Sequence, residues 1–237
     1  MNKRAAYWAV VPAAGVGRRM GTPMPKQYLQ LCGRTVIEHT LGRLCAHPHI
    51  TAVVVAISAG DTHWPNIDLD QFHKPIMTVP GGIERCHSVL NALALLRRQA
   101  AADDWVLVHD AARPCLRLSD IDHLVSTLST HPVGGLLGVS VSDTMKRTNA
   151  DGEIQQTVDR KGLWRALTPQ MFRLECLHDA LQQALKDHYL VTDEASAMEH
   201  RGHAPLMVEG RGDNIKITRP CDLPLAEMYL AQQESAS

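Results

Sequence analysis

The sequence predicts an α/β protein in which helices cover both faces of a mostly parallel, doubly wound sheet. Short apolar runs alternate with segments of helical periodicity along the first 141 residues. Two of the runs, 53–57 and 105–108, are almost continuously apolar, which is typical of parallel strands buried on both sides.

The first part of the chain predicts four strands and three helices. The strands are 6–11, 52–57, 105–109 and 135–141, and the helices are 35–47, 84–101 and 119–130. Apolar side chains of the second helix fall on one face. Ser119 and Asp120 favour the start of the third helix, because their oxygens can accept from free N–H groups.

The second half departs from this alternation. Residues 144–160 are polar on both predicted faces and contain an Asn-Ala-Asp-Gly turn at 149–152, which predicts a projecting hairpin. Because an isolated hairpin is marginal in water, it is either an ordinary solvated hairpin or an arm that docks on a second subunit. Helices at 174–186, 193–201 and 222–232 and strands at 205–208 and 215–217 complete a single domain, residues 1–237, with the arm at about 142–162.

Composition excludes several classes of protein. The 237 residues contain 24 Lys plus Arg and 25 Asp plus Glu, and this near-neutral balance argues against broad nucleic-acid binding. No apolar run approaches the length of about 20 residues that spans a bilayer, so we expect no membrane association. The six cysteines are scattered without a C-x-x-C pair, which is typical of free thiols in a reducing, cytoplasmic compartment.

A glycine-rich loop at residues 12–21 follows the first strand and is rich in cations. It lacks the G-x-G-x-x-G and P-loop patterns, since position 20 is Met20 and no Gly-Lys-Ser/Thr follows. Prolines at 23 and 25 disfavour an immediate helix. The loop is therefore predicted to bind an anion through its own N–H groups and Arg18, Arg19 and Lys26, a solvated basic turn being the alternative.

A series of short motifs then runs in order from the first strand to the last. The motifs are Pro12-Ala13-Ala14-Gly15-x-Gly17-x-Arg19, Pro25-Lys26-Gln27-Tyr28, Gly81-Gly82-x-x-Arg85-x-x-Ser88-Val89, Val108-His109-Asp110-Ala111-Ala112-Arg113-Pro114, Asp143-Thr144-x-Lys146, Val158-Asp159-Arg160, Thr168-Pro169-Gln170, Thr192-Asp193-Glu194-Ala195 and Asn214-Ile215-Lys216-Ile217-Thr218. Together they resemble the 2-C-methyl-D-erythritol 4-phosphate cytidylyltransferases over nearly the whole chain.

The resemblance implies a Rossmann-like nucleotidyltransferase fold with a hairpin arm that forms a homodimer. It also implies transfer of CMP from CTP to the polyol phosphate, with Mg²⁺ and release of pyrophosphate, in isoprenoid precursor synthesis. Such a reaction brings two polyanions together, so it needs positioned cations and a metal rather than a covalent nucleophile.

The resemblance also assigns residues. Arg19 and Lys26 would bind the triphosphate and stabilise pyrophosphate, and Lys216, by itself an ordinary surface lysine, would hold the α-phosphate. The nucleotide contacts would be Ala13, Ala14, Gly15, Gly17, Gly81, Gly82, Arg85, Ser88, Asp110 and Ala111. The polyol phosphate contacts would be Thr144, Arg160, Thr168, Thr192 and Arg113, with the arm residues reaching the neighbouring subunit's site; Thr192 also suits a helix cap.

Asp110 is the predicted metal ligand, because it follows a strand at the sheet edge where ligands collect and its carboxylate suits Mg²⁺. It could instead cap the next turn or pair with Arg113. Asp213 is a weaker second candidate. His109 is predicted to be structural, on the opposite face. Position 83 is Ile83 where many relatives carry a polar residue, which leaves base recognition to backbone groups or Ser88.

Two other functions stay open at this point. A ribitol-phosphate or other polyol-phosphate cytidylyltransferase would share most of these motifs. A non-catalytic nucleotide-binding regulator on the same fold would be expected to lack one or more of the cations, yet Arg19, Lys26 and Lys216 are all present.

Overall fold

A seven-stranded mixed sheet forms the centre of the protein. The structure, a computed structural model, describes residues 5–15, 20–21 and 24–235. Its strands are β1 (Tyr7–Pro12), β2 (Gln30–Leu31), β3 (Arg34–Thr35), β4 (Ile50–Ile57), β5 (Ile76–Pro80), β6 (Trp105–Val108), β7 (Gly134–Ser140), β8 (Met145–Thr148), β9 (Ile154–Val158), β10 (Trp164–Arg173) and β11 (Leu206–Glu209). Its α-helices are α1 (Val36–Ala46), α2 (Arg85–Leu96), α3 (Leu118–Leu128), α4 (Leu174–Lys186), α5 (Glu194–His200) and α6 (Asp222–Ser235).

The central sheet has the order β11-β7-β10-β6-β1-β4-β5. The pairs β1/β4, β1/β6, β4/β5 and β7/β11 are parallel, whereas β10 is antiparallel to both of its neighbours. The predicted mostly parallel α/β sheet is therefore confirmed. The sequence did not predict β5 or β10, and in β10 the Pro169 residue disfavours a central strand. The ladder between β10 and β7 is interrupted between Ala166 and Gln170, which is where the strand accommodates that proline.

Helices cover both faces of the sheet. Along β4 the buried Val53 and Val55 pack into one apolar cluster and Val54 packs into the other. The first cluster takes apolar side chains from α1 and α3, and the second takes them from α2, α4 and α5. The apolar character of the strands thus has the predicted cause, which is burial on both sides.

Several predicted boundaries change. Helix α1 begins after Thr35, whose hydroxyl forms a capping box with Glu38. Helix α2 ends at Leu96 rather than 101. Helix α3 begins at Leu118, one residue before the predicted start. Its N-cap is Arg117, and the Asp120 carboxylate accepts from the Arg117 N–H at 3.1 Å. Residues 215–217, predicted as a strand, form none, and Ile217 N–H donates to Ala112 O at 2.8 Å.

The predicted hairpin is present as a separate two-stranded antiparallel sheet, β8–β9. The β8 residues are all exposed, and so are those of β9 except the half-buried Val158. The Asn149 side chain closes the turn by accepting from the N–H groups of Asp151 and Glu153. Within this chain the hairpin therefore buries little surface.

Among the described helices, none combines the length and the apolar character needed to cross a membrane.

Candidate active site

Two adjoining cavities open where β1 and β6 end at their carboxyl edges. The first encloses about 340 Å³ and the second about 300 Å³. Arg85, Asp110 and Lys216 line both cavities and therefore form the boundary between them. Carboxyl ends of parallel strands are where α/β sheets bind ligands, so this edge is the candidate active site.

Small residues form one wall of the first cavity. Ala13, Ala14, Gly15, Gly82, Ser88 and Ala111, all predicted nucleotide contacts, lie on its surface. A Cβ atom at Gly81 would stand 2.2 Å from the Ala14 Cβ, so only glycine allows the loop after β5 and the loop after β1 to approach this closely.

The Ser88 hydroxyl organises the loop that closes this wall. It accepts from the Gly82 N–H at 3.0 Å and donates to the Glu84 carbonyl oxygen at 3.3 Å. The side chain of Ile83 is 97% exposed and lies at the same cavity. Position 83 therefore offers no polar side chain for base recognition, as the sequence predicts.

Three cations surround the Asp110 carboxylate. Its Oδ1 accepts from Arg85 Nε at 3.0 Å, and its Oδ2 lies 2.9 Å from Lys216 Nζ and 3.4 Å from Arg113 Nε. Burial by itself raises the pKa of Asp110, but the charges of Arg85, Lys216 and Arg113 lower it well below its usual range. Asp110 is therefore a carboxylate at every physiological pH, and it fixes the positions of three cationic groups.

Glu194 holds Arg85 from the opposite side. Its two oxygens accept from Arg85 Nη1 at 2.6 Å and from Nη2 at 3.0 Å, and its side chain is fully buried. Burial tends to lower the pKa of Arg85, but Glu194 and Asp110 raise it above its usual value. This two-pronged contact joins the first turn of α2 to α5. Glu194 was missed as a site residue, because an acid in a first helical turn normally indicates only a favourable helix start.

The two predicted lysines converge on the first cavity. Lys26, in a 3₁₀ turn at Lys26–Tyr28, donates from Nζ to the Ile217 carbonyl oxygen at 2.8 Å. Lys216, next in the chain to Ile217, turns its Nζ towards Asp110. Lys26 and Ile217, which are 191 positions apart in sequence, are thus in direct contact beside this cavity. Arg18, Arg19 and Gly17 lie outside the described residues.

The hydrogen bonds of the Thr168 hydroxyl in the second cavity can be assigned completely. His109 Nε2 lies 3.1 Å from the Arg113 carbonyl oxygen, which only accepts, so Nε2 carries the proton. Burial lowers the pKa of His109 to about 4, and the neutral ring therefore accepts at Nδ1, 2.9 Å from Thr168 Oγ1. Thr168 Oγ1 also accepts from the Asp110 N–H at 3.1 Å. Its proton is thus already donated to His109, which is structural as predicted.

Gln170 connects the second cavity to α5. Its side chain donates to Asp193 Oδ2 at 2.9 Å and accepts from the Ala195 N–H at 2.9 Å. The residue that caps α5 is Asp193 rather than Thr192, since its carboxylate accepts from the Ser196 N–H. Thr192 is exposed and lies on the cavity wall. The cap expected of Thr192 is therefore corrected, and its side chain remains at the cavity.

Arg113 and Asp213 are both engaged by the protein itself. Arg113 is buried and donates from Nη1 to the Asn214 carbonyl oxygen at 2.6 Å, although it also lines the second cavity. Asp213 Oδ2 pairs with Arg117 Nη2 at 2.5 Å. The expected pairing of Asp110 with Arg113 is present, and Asp213 serves a salt bridge.

The predicted arm residues do not reach these cavities. Thr144 and Arg160 are both exposed, and neither lines either of the two cavities described above. The Arg160 guanidinium instead donates to the Ser142 carbonyl oxygen at the base of the hairpin.

The magnesium role of Asp110 stays a prediction. Both of its oxygens accept from cationic side chains here, and a magnesium ion would have to share those oxygens with the cations or displace one of them. Among the described residues, the groups of side chains close enough to share a metal ion lie elsewhere. The carboxylate aligns Arg85 and Lys216.

Comparison with known proteins agrees with this geometry. The family profile of 2-C-methyl-D-erythritol 4-phosphate cytidylyltransferase matches residues 7–232. The protein of that name from Vibrio vulnificus (strain YJ016) is 54% identical over 226 residues, which cover 95% of this chain and 95% of the relative. The one from Pseudomonas putida (strain W619) is 56% identical over 219 residues, which cover 92% of this chain and 93% of the relative.

Solved structures give the same result. A crystal structure of 4-diphosphocytidyl-2C-methyl-D-erythritol synthase superposes with a TM-score of 0.83 at 37% identity, covering 95% of this chain and 99% of the other. The Francisella tularensis 2-C-methyl-D-erythritol 4-phosphate cytidylyltransferase gives a TM-score of 0.81 at 35% identity, covering 95% and 100%. On fold, site and sequence together, this chain belongs to the 2-C-methyl-D-erythritol 4-phosphate cytidylyltransferase family.

Proposed function

We propose that this chain transfers CMP from CTP to 2-C-methyl-D-erythritol 4-phosphate, in isoprenoid precursor synthesis. The observation that carries the proposal is the pair of adjoining cavities with Lys216, Asp110 and Arg85 at their boundary. A two-substrate transfer needs two binding spaces that meet where charge develops. Membership of a cytidylyltransferase family supports the same reaction.

In this proposal CTP occupies the first cavity and the polyol phosphate the second. A phosphate oxygen of the polyol attacks the α-phosphorus of CTP, a new P–O bond forms, and the bond to the β-phosphate breaks to release pyrophosphate. Lys216, at the boundary, stabilises the charge on the α-phosphate. Lys26, which lines the same cavity, and Arg19 stabilise the β- and γ-phosphates.

Asp110 acts in this scheme through its neighbours. It holds Lys216 and Arg85 in place before CTP binds, so that the cations need little reorganisation as charge develops. A divalent cation such as Mg²⁺ would enter with CTP as part of the nucleotide substrate, bound by phosphate oxygens. The three cationic groups that already surround Asp110 support this assignment.

We also propose that the protein acts in the cytoplasm as a homodimer in which the hairpin completes the partner's second cavity. Thr144 and Arg160 are exposed and line neither of the two cavities, which suits residues that bind substrate in trans. The hairpin and its base also expose large apolar side chains that a partner would cover: Met145, Ile154, Leu163 and Trp164. An arginine fork suits a terminal phosphate.

The test is pyrophosphate release from CTP with different acceptors. Turnover is expected with 2-C-methyl-D-erythritol 4-phosphate, and at least about tenfold lower kcat/KM with ribitol 5-phosphate, because the second cavity must discriminate between them. Preference for ribitol phosphate would assign the chain to the related polyol-phosphate reaction. No pyrophosphate release with any acceptor would indicate a nucleotide-binding regulator and overturn the proposal.

A further inference from the structure

A group of three potential metal ligands lies at the start of α2, beside the first cavity. Glu84, Cys86 and His87 each offer one ligand atom, and the three atoms lie within 4.8 Å of one another. The Cys86 Sγ atom is 3.8 Å from Glu84 Oε2 and 3.7 Å from His87 Nδ1. The reaction proposed above uses none of these three side chains.

These separations match those around a bound zinc ion. Zinc lies about 2.3 Å from a thiolate and about 2.0 Å from an imidazole nitrogen, which places the two ligand atoms about 3.6 Å apart in a tetrahedral arrangement. The observed sulfur-to-nitrogen separation is 3.7 Å. The ligands therefore need only small side-chain movements to bind one ion.

The three ligand groups differ in exposure in a way that suits metal entry. Cys86 is buried, His87 is half-buried and Glu84 is exposed, so the group is open to solvent on the glutamate side. Among the described residues no lysine or arginine forms a salt bridge with Glu84. The Cys86 thiol hydrogen-bonds to its carboxylate instead.

A second group with similar ligand types provides a useful contrast. Glu175, His178 and Asp179 also lie within 4.8 Å of one another. The Glu175 carboxylate, however, accepts from Arg97 Nη2 at 2.6 Å and from Arg97 Nε at 2.8 Å. Its oxygens are already bound by a cation, and this group lacks a thiol, so it does not offer the same site.

We infer that Glu84, Cys86 and His87 form a binding site for one thiophilic divalent ion of the Zn²⁺ class. On binding, the Cys86 S–H bond breaks, the proton passes to solvent and a sulfur–metal bond forms. Three protein ligands leave the fourth tetrahedral position to water. Because Glu84 and the neighbouring Gly82 line the first cavity, the ion ties together the turn that bounds the nucleotide side of the site.

The test is titration of the purified full chain with Co²⁺, followed by displacement with Zn²⁺. Cobalt bound to a thiolate in a tetrahedral site has intense visible bands and a sulfur-to-metal charge-transfer band. We expect one equivalent of Co²⁺ to produce both and Zn²⁺ to abolish them. Nucleotide and polyol phosphate are omitted, so the result is independent of whether the chain is a cytidylyltransferase.

Variants identify the ligands. Cys86→Ser should remove the charge-transfer band, and His87→Ala or Glu84→Gln, which alter less buried positions, should weaken Co²⁺ binding about tenfold or more. Cys32→Ser, at an exposed thiol elsewhere, and His178→Gln, in the contrasting group, should bind Co²⁺ as the parent chain does. Absence of the thiolate band, its persistence in Cys86→Ser with unchanged affinity in His87→Ala, or its loss in Cys32→Ser would overturn the site.

Discussion

Lys216 Nζ lies 2.9 Å from Asp110 Oδ2, and this contact joins the segment before α6 to the loop that follows β6. The two residues are 106 positions apart in sequence (216 − 110). The contact places a lysine at the boundary of the two cavities in a fixed orientation. The proposed reaction needs a positive charge at that point, because negative charge accumulates there in the transition state.

Lys216→Ala is expected to lower kcat by at least about a hundredfold, as for the loss of a transition-state charge partner. The measurement is steady-state pyrophosphate release at saturating CTP and polyol phosphate. Lys186→Ala, which removes an exposed lysine at the end of α4, is the matched control and should keep normal turnover. Near-normal kcat in Lys216→Ala would contradict the proposed α-phosphate contact.

Lys26→Ala is also expected to lower kcat by at least about a hundredfold, because the leaving pyrophosphate loses a cationic partner. Its Nζ also donates to the Ile217 carbonyl oxygen at 2.8 Å, so the substitution removes a structural contact as well as the charge. Unfolding monitored by circular dichroism separates the two effects. A variant that melts normally and turns over normally would remove Lys26 from the triphosphate site.

Arg160→Ala is expected to raise KM for the polyol phosphate more than KM for CTP, since its proposed contact is with the polyol's phosphate. If the arm acts in trans, mixing Arg160→Ala with Lys216→Ala subunits should restore about one quarter of normal activity, because half of the dimers then carry one intact site. Equal effects on both KM values would argue against the substrate contact. Failure of the mixture to recover activity would argue against action in trans.

Glu194→Gln is expected to destabilise the protein by about 3 kcal/mol or more, because it weakens a buried ion pair and leaves the Arg85 charge poorly compensated. The matched control is Glu175→Gln, which alters the exposed Arg97–Glu175 pair and should cost about 1 kcal/mol or less. Urea unfolding at pH 7 measures both changes. Equal destabilisation in the two variants would show that the buried Arg85–Glu194 pair contributes no more to the free energy of unfolding than the exposed Arg97–Glu175 pair.

His109 predicts a pH dependence of stability. Burial lowers its pKa from 6.5 to about 4 in the folded protein, so between these values the unfolded chain binds the proton more readily. The free energy of unfolding should therefore fall as the pH drops from about 6.5 to about 4, by up to about 3 kcal/mol from this residue.

The control for this prediction is His109→Asn, whose side-chain oxygen can still accept from the Thr168 hydroxyl but does not titrate. Its stability should be lower at pH 7 and should depend less steeply on pH between 6.5 and 4. An unchanged pH slope would show that His109 has the same pKa in the folded and the unfolded protein. Urea unfolding at a series of pH values makes the comparison.

The elements that local patterns identify agree well with the structure. The apolar run in β4 correctly predicts that both faces of this strand are buried. The prediction is possible because a strand covered on both sides is apolar at every position, whereas one covered on a single side alternates. The glycine motifs predict the small-residue wall of the first cavity. By contrast, β10 contains a proline and joins two strands that are distant in sequence, and no local pattern indicates such pairing.

By itself, then, the sequence determined the fold class, the glycine loop and the cations available to bind phosphate, since these depend on local periodicity and residue type. Which of those groups form ion pairs and hydrogen bonds with one another depends on the tertiary structure. In the folded chain three cations surround Asp110, the Thr168 hydroxyl donates to His109, and Glu194 pairs with Arg85. Charge pairing acts through space at about 3 Å, and which residues come that close is a property of the folded chain.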